Sequence, residues 1–273
     1  MLSRLFEQKS IDAVVHLAGF SQVFESMQIP TKYFDNNVFK TSVLLDSMVQ
    51  HRVKNIVFSS SAAIYGIPKE VPITEDHLPD PNNFYGETKL MVEKLLRWYD
   101  QIYGLKYISL RYFNAAGADE SSSLGEQHDP ETHLLPIIIQ YILNIRRELI
   151  IYGDDYATAD GTCVRDYIHV SDLAAAHLLC LNALLAGTDS AIYNLGNGSG
   201  YSIKQVIDTA AQIIMQPVHY SIGTRRTGDP PVLIASSDKI SRDLGFKPRY
   251  NDLATIIKSA LSWHKTLLEE GKR

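Results

Sequence analysis

The chain has 273 residues, of which 45% are hydrophobic, enough for the core of one large domain or two modest ones. Its formal net charge is −5 with both signs scattered along the sequence, which excludes a basic footprint for nucleic acid. No apolar run approaches the roughly 20 residues that a membrane helix needs, so we expect a cytoplasmic protein without a membrane partner.

Short apolar runs alternate with helical patterns through the first part of the chain. Because these runs are nearly continuous in Val, Ile and Leu, both faces of the resulting sheet should be covered by helices. The pattern predicts an α/β fold with a doubly wound, Rossmann-like parallel sheet. Strands are predicted at 12–17, 54–60 and 106–112, and helices at 33–51 and 84–103.

The alternation becomes irregular after Asn114. We expect residues 1–117 to form a partial dinucleotide-binding domain and residues 118–273 to form mainly a smaller lobe for the substrate. Residues 164–195 are expected to return to the first domain. Within the second part, the predicted elements are a polar loop at 119–131, a helix near 133–147, a strand at 149–152 and a loop at 153–162.

Two features that could suggest a metal site are interpreted otherwise. Cys163 and Cys180 lack C-x-x-C spacing, so neither a disulfide framework nor a zinc site is expected. His128 and His133 lie close in sequence, but Pro130 breaks the helix that would place both on one face. We therefore predict a loop there and no metal site.

Tyr85 and Lys89 carry the clearest chemical signal. They lie four residues apart in a predicted helix, so their side chains leave the same face one turn apart. Free tyrosine has a pKa of about 10, and a nearby cation lowers that pKa toward the range of a useful base. An ordinary surface pair has the same spacing, and Tyr65 and Lys69 repeat it across a proline that disrupts a helix.

The predicted strand at 54–60 runs into the small hydroxyl side chains of Ser59, Ser60 and Ser61. Open α/β sheets bind ligands at the carboxyl ends of their strands, where a serine can relay a proton. Serines that bond the local backbone in a turn are the alternative interpretation.

These residues belong to eight stretches that resemble the extended short-chain dehydrogenase/reductase family, and within it the UDP-glucose 4-epimerases. The resemblance covers nearly the whole chain. It implies an isomerase that interconverts UDP-glucose and UDP-galactose through a 4-keto intermediate with bound NAD. The stretches are His16–Gly19, Tyr33–Val38, Phe58–Ala62, Tyr85–Lys89, Leu110–Asn114, Asp160–Val170, Tyr193–Gly196 and Arg225–Asp229.

The resemblance also implies roles for single residues. Tyr85 would be the catalytic base for the sugar 4-hydroxyl, Lys89 would hold the nicotinamide ribose and tune Tyr85, and Ser61 would assist the proton transfer. The residues implied to line the NAD site are Leu17, Ala18, Gly19, Phe20, Ser21, Asn36, Ser61, Tyr85, Lys89 and Phe113. Those implied to hold the UDP-sugar are Asn114, His133, Leu134, Ile151, Tyr152, Arg165, Arg226 and Asp229.

Arginine suits the UDP diphosphate because a guanidinium group binds phosphate through two parallel hydrogen bonds. A surface ion pair is the alternative for an isolated arginine, in particular Arg225, and Asp229 before Pro230 also suits an ordinary turn. Leu233 falls near the implied sugar pocket, where side-chain size in the family relates to N-acetylated substrates. The sequence leaves that specificity open.

The family opens with a strand, a G-x-x-G-x-x-G turn and a helix that bind the NAD pyrophosphate, and none of these is recognisable in this chain. We expect about two βαβ units, roughly 60 residues, to be absent, which would leave the strand at 13–17 on a sheet edge. Such a fragment should bind NAD poorly and have impaired activity. Leu195–Gly200 does not replace the missing turn, because Tyr201 stands where the third glycine belongs. Ser21 and Phe24 also depart from the residues common in the family.

Two other functions are weighed against the epimerase. A nucleotide-sugar 4,6-dehydratase of the same fold needs an acid and a base where this chain has Ala62 and Ala63. A truncated product without catalytic activity is the second alternative. For a complete chain, the resemblance implies a homodimer through the helices at 33–51 and 84–103.

Overall fold

The computed structural model describes residues 2–226 and 228–271 as an α/β protein, which confirms the predicted fold class. A π-helix at Phe34–Phe39 and a 3-10 helix at Ala62–Tyr65 accompany the α-helices and strands. The α-helices are α1 (Leu2–Gln8), α2 (Val23–Gln28), α3 (Pro30–Tyr33), α4 (Lys40–Gln50), α5 (Phe84–Tyr103), α6 (Leu134–Ile142), α7 (Val170–Leu185), α8 (Ile203–Ile214), α9 (Asp238–Leu244) and α10 (Leu253–Glu270). The strands are β1 (Val14–His16), β2 (Asn55–Ser61), β3 (Lys106–Tyr112), β4 (Asn114–Ala116), β5 (Ile150–Tyr152), β6 (Val164–His169), β7 (Ala191–Leu195), β8 (Gly200–Ser202), β9 (Ser221–Gly223) and β10 (Val232–Leu233).

The main sheet is parallel and four-stranded, in the order β1-β2-β3-β7. The central strands β2 and β3 pair over seven residues, from Asn55 opposite Lys106 to Ser61 opposite Tyr112. Among the described residues β1 forms one edge of this sheet, and Val15 on it is 39% exposed. All four carboxyl ends lie on one side, where a ligand site is expected.

Helices cover both faces of the main sheet because its apolar residues alternate between them. Ile56 and Phe58 of β2 pack with α4 and α5 in one buried cluster, whereas Val57 packs with α7 and α9 in another. Successive strand residues point to opposite faces, so a continuous apolar run serves both clusters. The doubly wound arrangement follows from this packing.

The rest of the chain is built around α6, α8 and α10. Apolar side chains of these three helices form a third buried cluster. Strand β6 joins this part in a small sheet with β4 and β10, and β8 also pairs with β6. Residues 164–195, which were expected to return to the first domain, do so only in part. Strand β7 pairs with β3 of the main sheet, whereas β6 pairs with β4 outside it. The domain boundaries proposed from the sequence stay a prediction. None of the described helices has the length and apolar character needed to cross a membrane.

Helix α5 has the bounds predicted from the sequence because both of its ends carry local signals. The Asn83 side chain accepts a hydrogen bond from the backbone N–H of Gly86, and Gly104 ends the helix in the left-handed conformation. Glu87 in the first turn complements the helix dipole.

Three other predicted elements differ from the structure. The helix expected at 33–51 is divided into α3, the π-helix and α4, and α2 precedes it without having been predicted. The helix expected at 133–147 ends at Ile142, because the chain turns through Asn144 at a φ of 57°. The strand expected at 12–17 pairs over only three residues, from Val14 opposite Ile56 to His16 opposite Phe58.

Candidate active site

The site is assembled where β1, β2 and β3 end. Ser61 is the last residue of β2, and the next four residues form the 3-10 helix that carries the chain away from the sheet. Its hydroxyl oxygen accepts a hydrogen bond from the N–H of Ala63 at 3.1 Å, so Ser61 caps that helix and its own proton stays available. The turn role considered for these serines is therefore present, and it orients the hydroxyl.

Gly86 brings the first turn of α5 against this capped segment. A Cβ atom at residue 86 would overlap the carbonyl oxygen of Ala63 and come within 3.2 Å of Pro81. Only glycine permits this approach between the helix and the 3-10 segment. Tyr85 is consequently held beside Ser61, and Lys89 lies one turn further along the same helix.

Burial controls the protonation of Tyr85 and Lys89. It raises the pKa of Tyr85, and hydrogen bonding with the Ser61 hydroxyl opposes that shift. Burial lowers the pKa of Lys89 to about 8, against the opposing charge of Glu93. The Lys89 ammonium donates to the backbone oxygen of Ser59 at 2.7 Å and lies 5.7 Å from the centre of the Tyr85 ring. The expected lowering of the tyrosine pKa by Lys89 is therefore not seen, because desolvation dominates.

Asn37 organises the turn after β1 and was not predicted as a site residue. Its amide accepts from the N–H of Phe20 at 2.8 Å, donates to the Phe20 carbonyl at 2.9 Å and donates to Thr88 of α5 at 3.3 Å. The predicted Asn36 is its neighbour and donates to the Asn37 side-chain oxygen at 3.2 Å. The available signal was the Tyr33–Val38 motif, which the structure forms as the end of α3 and most of the π-helix, an element frequent at functional sites.

The remaining residues predicted for a cofactor lie around the same end of the sheet. Leu17 to Ser21 follow β1, and Phe113 follows β3 directly. A Cβ atom at Gly19 would lie 3.3 Å from the Asn37 side-chain oxygen and 3.6 Å from the Lys89 ammonium nitrogen. The turn therefore approaches Lys89 closely, while Leu17 and Phe20 stay 59% and 38% exposed.

Two residues predicted to hold a substrate, Arg165 and Asp229, lie beside each other. Arg165 donates to the carbonyl oxygens of Val164 and Pro230 at 2.9 Å, and its second terminal nitrogen lies 3.5 Å from an oxygen of Asp229. The loop before α5 is tied to the same segment, because the Asn82 amide donates to the Gly228 carbonyl at 2.8 Å. This hydrogen bond connects the loop before α5 to the segment that carries Asp229.

Tyr152 and Arg226 lie together as a second pair. The guanidinium carbon of Arg226 is 4.3 Å from the centre of the Tyr152 ring, a cation–π arrangement that leaves its N–H groups free to bind anions. Arg225 instead forms an ion pair with Asp155 at 2.9 Å and covers Tyr156. The surface ion pair considered for Arg225 is confirmed.

For Ile151, which was also predicted to hold the UDP-sugar, the structure limits the part of the residue that can contact a ligand. The Ile151 side chain is 1% exposed and packs in the cluster around α6, α8 and α10, so only its backbone can contact a ligand. His133 precedes α6 and contacts Glu126, and its predicted role in holding the UDP-sugar stays a prediction. Leu134 begins α6, and Asn114 begins β4 immediately after Phe113.

The glycine-rich run at 195–200 is not a phosphate site in this chain. The buried Asp166 carboxylate accepts from the backbone N–H groups of Asn197, Gly198 and Ala235 at 2.8 to 3.1 Å. The amides that a phosphate would need are therefore already occupied by a carboxylate. This agrees with the sequence argument against a dinucleotide motif there.

Comparison with known proteins assigns the family. A family model described as the NAD dependent epimerase/dehydratase family matches residues 1–196. The chain is 49% identical over 265 residues to the UDP-glucose 4-epimerase of Halalkalibacterium halodurans, covering 97% of this chain and 79% of the relative. It is 51% identical over 264 residues to that of Lacticaseibacillus casei, covering 97% and 80%.

The chain belongs to the NAD dependent epimerase/dehydratase family, among the UDP-glucose 4-epimerases. Solved structures agree with this assignment. The Brucella ovis UDP-glucose 4-epimerase in complex with NAD superposes with a TM-score of 0.93 at 45% identity, covering 95% of this chain and 80% of that one. The Bifidobacterium longum enzyme in complex with NAD⁺ and UDP gives 0.92 at 40% identity, covering 97% and 79%.

These matches cover 97% of this chain and 79% of the relatives' own length, and they neither support nor test the expected loss of an N-terminal segment. The expectation of weak NAD binding and impaired activity is likewise not supported by them. Measuring the NAD content of the purified chain tests the expected weak binding, and measuring its turnover tests the expected impaired activity.

Proposed function

We propose that this chain catalyses the NAD-dependent interconversion of UDP-glucose and UDP-galactose. The observation that carries the proposal is the juxtaposition of Ser61, Tyr85 and Lys89 at the carboxyl end of the sheet. A hydrogen bond from Asn82 to the Gly228 carbonyl connects the loop before α5 to the segment with Asp229, which lies beside Arg165. We assign proton transfer to the first group and anion binding to the second.

The residues around Lys89 fit the nicotinamide end of NAD. The turn at Gly19 leaves room for close backbone approach, Asn37 fixes that turn, and the Lys89 ammonium lies beneath it. Leu17 and Phe20 add exposed apolar surface at the same place. When bound, NAD supplies the acceptor and donor for the hydride of the sugar C4.

Tyr85 would remove the proton of the sugar 4-hydroxyl, with Ser61 as its hydrogen-bonding partner. Because burial raises the pKa of this phenol, it needs a positive charge close by before it acts as a base near neutral pH. Lys89 can supply that charge when a ribose hydroxyl draws its ammonium away from Ser59. After the 4-keto sugar turns within the site, its C4 would take back the hydride held by bound NAD on the opposite face, and Tyr85 would return the proton to the 4-oxygen, which completes the epimerisation.

The UDP portion would bind to Arg165 and Arg226. Arg165 is oriented by two carbonyl oxygens, and Arg226 is oriented by the ring of Tyr152, so both guanidinium groups are partly pre-arranged for a diphosphate. Asp229 suits either the ribose or its present partner Arg165. Asn114, Leu134 and the backbone of Ile151 would complete the contacts.

The 4,6-dehydratase alternative is less well supported. Ala62 and Ala63 form the first turn of the 3-10 helix after Ser61, and an alanine side chain can act neither as an acid nor as a base. The Halalkalibacterium, Lacticaseibacillus, Brucella and Bifidobacterium relatives are all called UDP-glucose 4-epimerases.

The proposal is tested by the conversion of UDP-galactose to UDP-glucose by the purified chain supplied with NAD. Tyr85→Phe should lower turnover by about 10²- to 10⁴-fold, the range for loss of one general acid–base group. Tyr220→Phe, which removes an exposed hydroxyl outside the site, should leave turnover unchanged. Equal turnover in the Tyr85→Phe variant and the parent would refute the assignment of the base.

The NAD content of the purified chain separates full from weak cofactor binding. Activity that requires added NAD would support the prediction of weak binding made from the sequence. Stoichiometric NAD carried through purification would contradict it, and would leave the role of Tyr85 to the variant measurement.

A further inference from the structure

Four side chains that are not explained by the proposed catalysis converge before α6. Glu126, His128, Glu131 and His133 each place one nitrogen or oxygen atom within 4.8 Å of all the others. His128 Nδ1 lies 3.2 Å from a Glu126 oxygen and 3.6 Å from a Glu131 oxygen, and His133 Nδ1 contacts Glu126. From this arrangement we propose a binding site for a divalent transition-metal ion of the Zn²⁺ type, with two imidazole and two carboxylate ligands.

Glu131 supplies an independent indication that the group binds a cation. Its side chain is 3% exposed, and one carboxylate oxygen accepts from the backbone N–H groups of Thr132 and His133 at 2.8 and 2.9 Å. The same oxygen lies 3.6 Å from His128, whereas the second carboxylate oxygen is buried without a hydrogen-bond partner. A buried carboxylate oxygen without a donor is unfavourable, and a metal ion would satisfy it.

The surroundings hold this group in place. The indole N–H of Trp263 on α10 donates to the Glu126 carbonyl at 2.9 Å, which anchors the loop to a long helix. The neighbouring His264 on the same helix is 5% exposed, so this part of α10 is packed against the rest of the protein.

The ligand chemistry favours Zn²⁺ or Co²⁺ over Mg²⁺ or Ca²⁺. Imidazole nitrogen is a preferred ligand of the first pair, whereas the second pair prefers six or more oxygen atoms. Tetrahedral zinc with bonds near 2.1 Å places its ligand atoms about 3.4 Å apart, so the most widely separated atoms, which lie within 4.8 Å, must approach by at most about 1.4 Å on binding. Rotation of the exposed His128 and His133 side chains can provide that movement.

The sequence spacing of His128 and His133 did not predict this site, because it was compared only with metal ligands on one helix. Pro130 excludes a helix, as predicted, but the loop folds back so that Glu126 reaches the two histidines. His133 is also one of the residues predicted for the UDP-sugar. The metal proposal does not depend on that role, because it is measured without substrate.

The test uses the intact chain freed of metal with a chelator and then titrated by calorimetry with Zn²⁺, Co²⁺ or Mg²⁺. We expect one equivalent of Zn²⁺, a visible Co²⁺ spectrum characteristic of nitrogen and oxygen ligands, and no comparable binding of Mg²⁺. His128→Ala and Glu126→Gln should each lower Zn²⁺ affinity at least about tenfold, since even loss of an indirect partner has that effect. Glu131→Gln should do the same.

His219→Ala is the matched control, because His219 is exposed and distant in sequence from the group. Circular dichroism of each variant establishes that it is folded. Absence of stoichiometric Zn²⁺ binding would overturn the proposal. Equal affinity in the His128→Ala, Glu126→Gln and His219→Ala variants would also overturn it, since it would mean adventitious surface binding only.

Discussion

Desolvation sets the charge of single residues around the site more strongly than their neighbours do. It raises the pKa of Tyr85 and lowers that of Lys89 to about 8, so both shifts favour the neutral form. His16 at the end of β1 behaves in the same way, and burial together with the charge of Lys89 lowers its pKa to about 4. These side chains therefore favour their neutral forms until a ligand supplies a compensating charge or hydrogen bond.

His16 predicts a dependence of stability on pH. Between pH 6.5 and 4 the unfolded chain binds a proton at this histidine while the folded chain does not, so stability rises with pH across that window and is lost as pH falls. Replacement His16→Gln, which can still bond Thr41, should flatten the slope. Urea unfolding between pH 4 and 7 measures it.

His219→Gln is the control, because it makes the same substitution at an exposed histidine. His169, His177 and His264 also have lowered pKa values and should leave a residual slope in every variant. Identical slopes in the His16→Gln variant and the parent would show that His16 is not desolvated.

Among the elements, α5 connects the chemistry to the sheet. Gly86 packs on the 3-10 helix, Lys89 bonds the end of β2, and Glu93 accepts from Ser60 of β2 and from Arg111 of β3. The Glu93 and Arg111 side chains are each 4% exposed, and their shortest N–O distance is 2.6 Å. Arg111 also donates to the Tyr65 hydroxyl.

Gly86→Ala should damage both stability and turnover. Alanine normally stabilises a helix relative to glycine, but here its methyl group would overlap the Ala63 carbonyl. Overpacking of this kind costs about 1–3 kcal/mol and would displace Tyr85 from Ser61. Lys94→Ala on the exposed face of α5 is the control and should change neither property. Full activity in the Gly86→Ala variant would mean that this close approach is unnecessary.

Removing one member of the buried ion pair should be far more costly than removing an exposed one. Glu93→Ala leaves Arg111 charged and buried without its carboxylate, which costs about 3–5 kcal/mol in similar cases. Asp35→Ala removes the partner of Lys40 in an exposed pair and should cost less than about 1 kcal/mol. Chemical denaturation of both variants gives the comparison, and similar losses in the two would contradict the buried-network interpretation.

At the scale of the whole molecule, the outer faces of α4 and α5 expose large apolar side chains. Val43 on α4 is 42% exposed, and Trp98 and Ile102 on α5 are 52% and 63% exposed. Exposed apolar residues concentrated on adjacent helices are typical of an interface. The homodimer predicted through these helices remains our proposal.

Trp98→Glu should shift the chain toward monomer, because a charge would be buried in the proposed interface. Leu178→Glu is the control, since Leu178 on α7 is 59% exposed on a different face. Analytical ultracentrifugation across a range of protein concentrations measures the equilibrium. A parent chain that is monomeric at all concentrations, or equal dissociation in both variants, would contradict the interface.

Elements with strong local signals were predictable from the sequence. The caps at Asn83 and Gly104 define α5, and the apolar runs define β2 and β3, since both kinds of signal act over only a few residues. The division at the π-helix and the early end of α6 were not predictable. Both arise where local propensity competes with packing against distant segments.

The sequence by itself determined the fold class, the strand and helix order of the first part, and the chemical character of Tyr85 and Lys89. Periodicity, caps and residue chemistry are local properties that one chain displays directly. Only the tertiary structure decided the role of Asn37, the link from Asn82 to Gly228, and the occupation of the glycine-rich turn by Asp166. The physical reason is that these contacts join residues from 17 to 146 positions apart, a separation over which sequence spacing carries no geometric information.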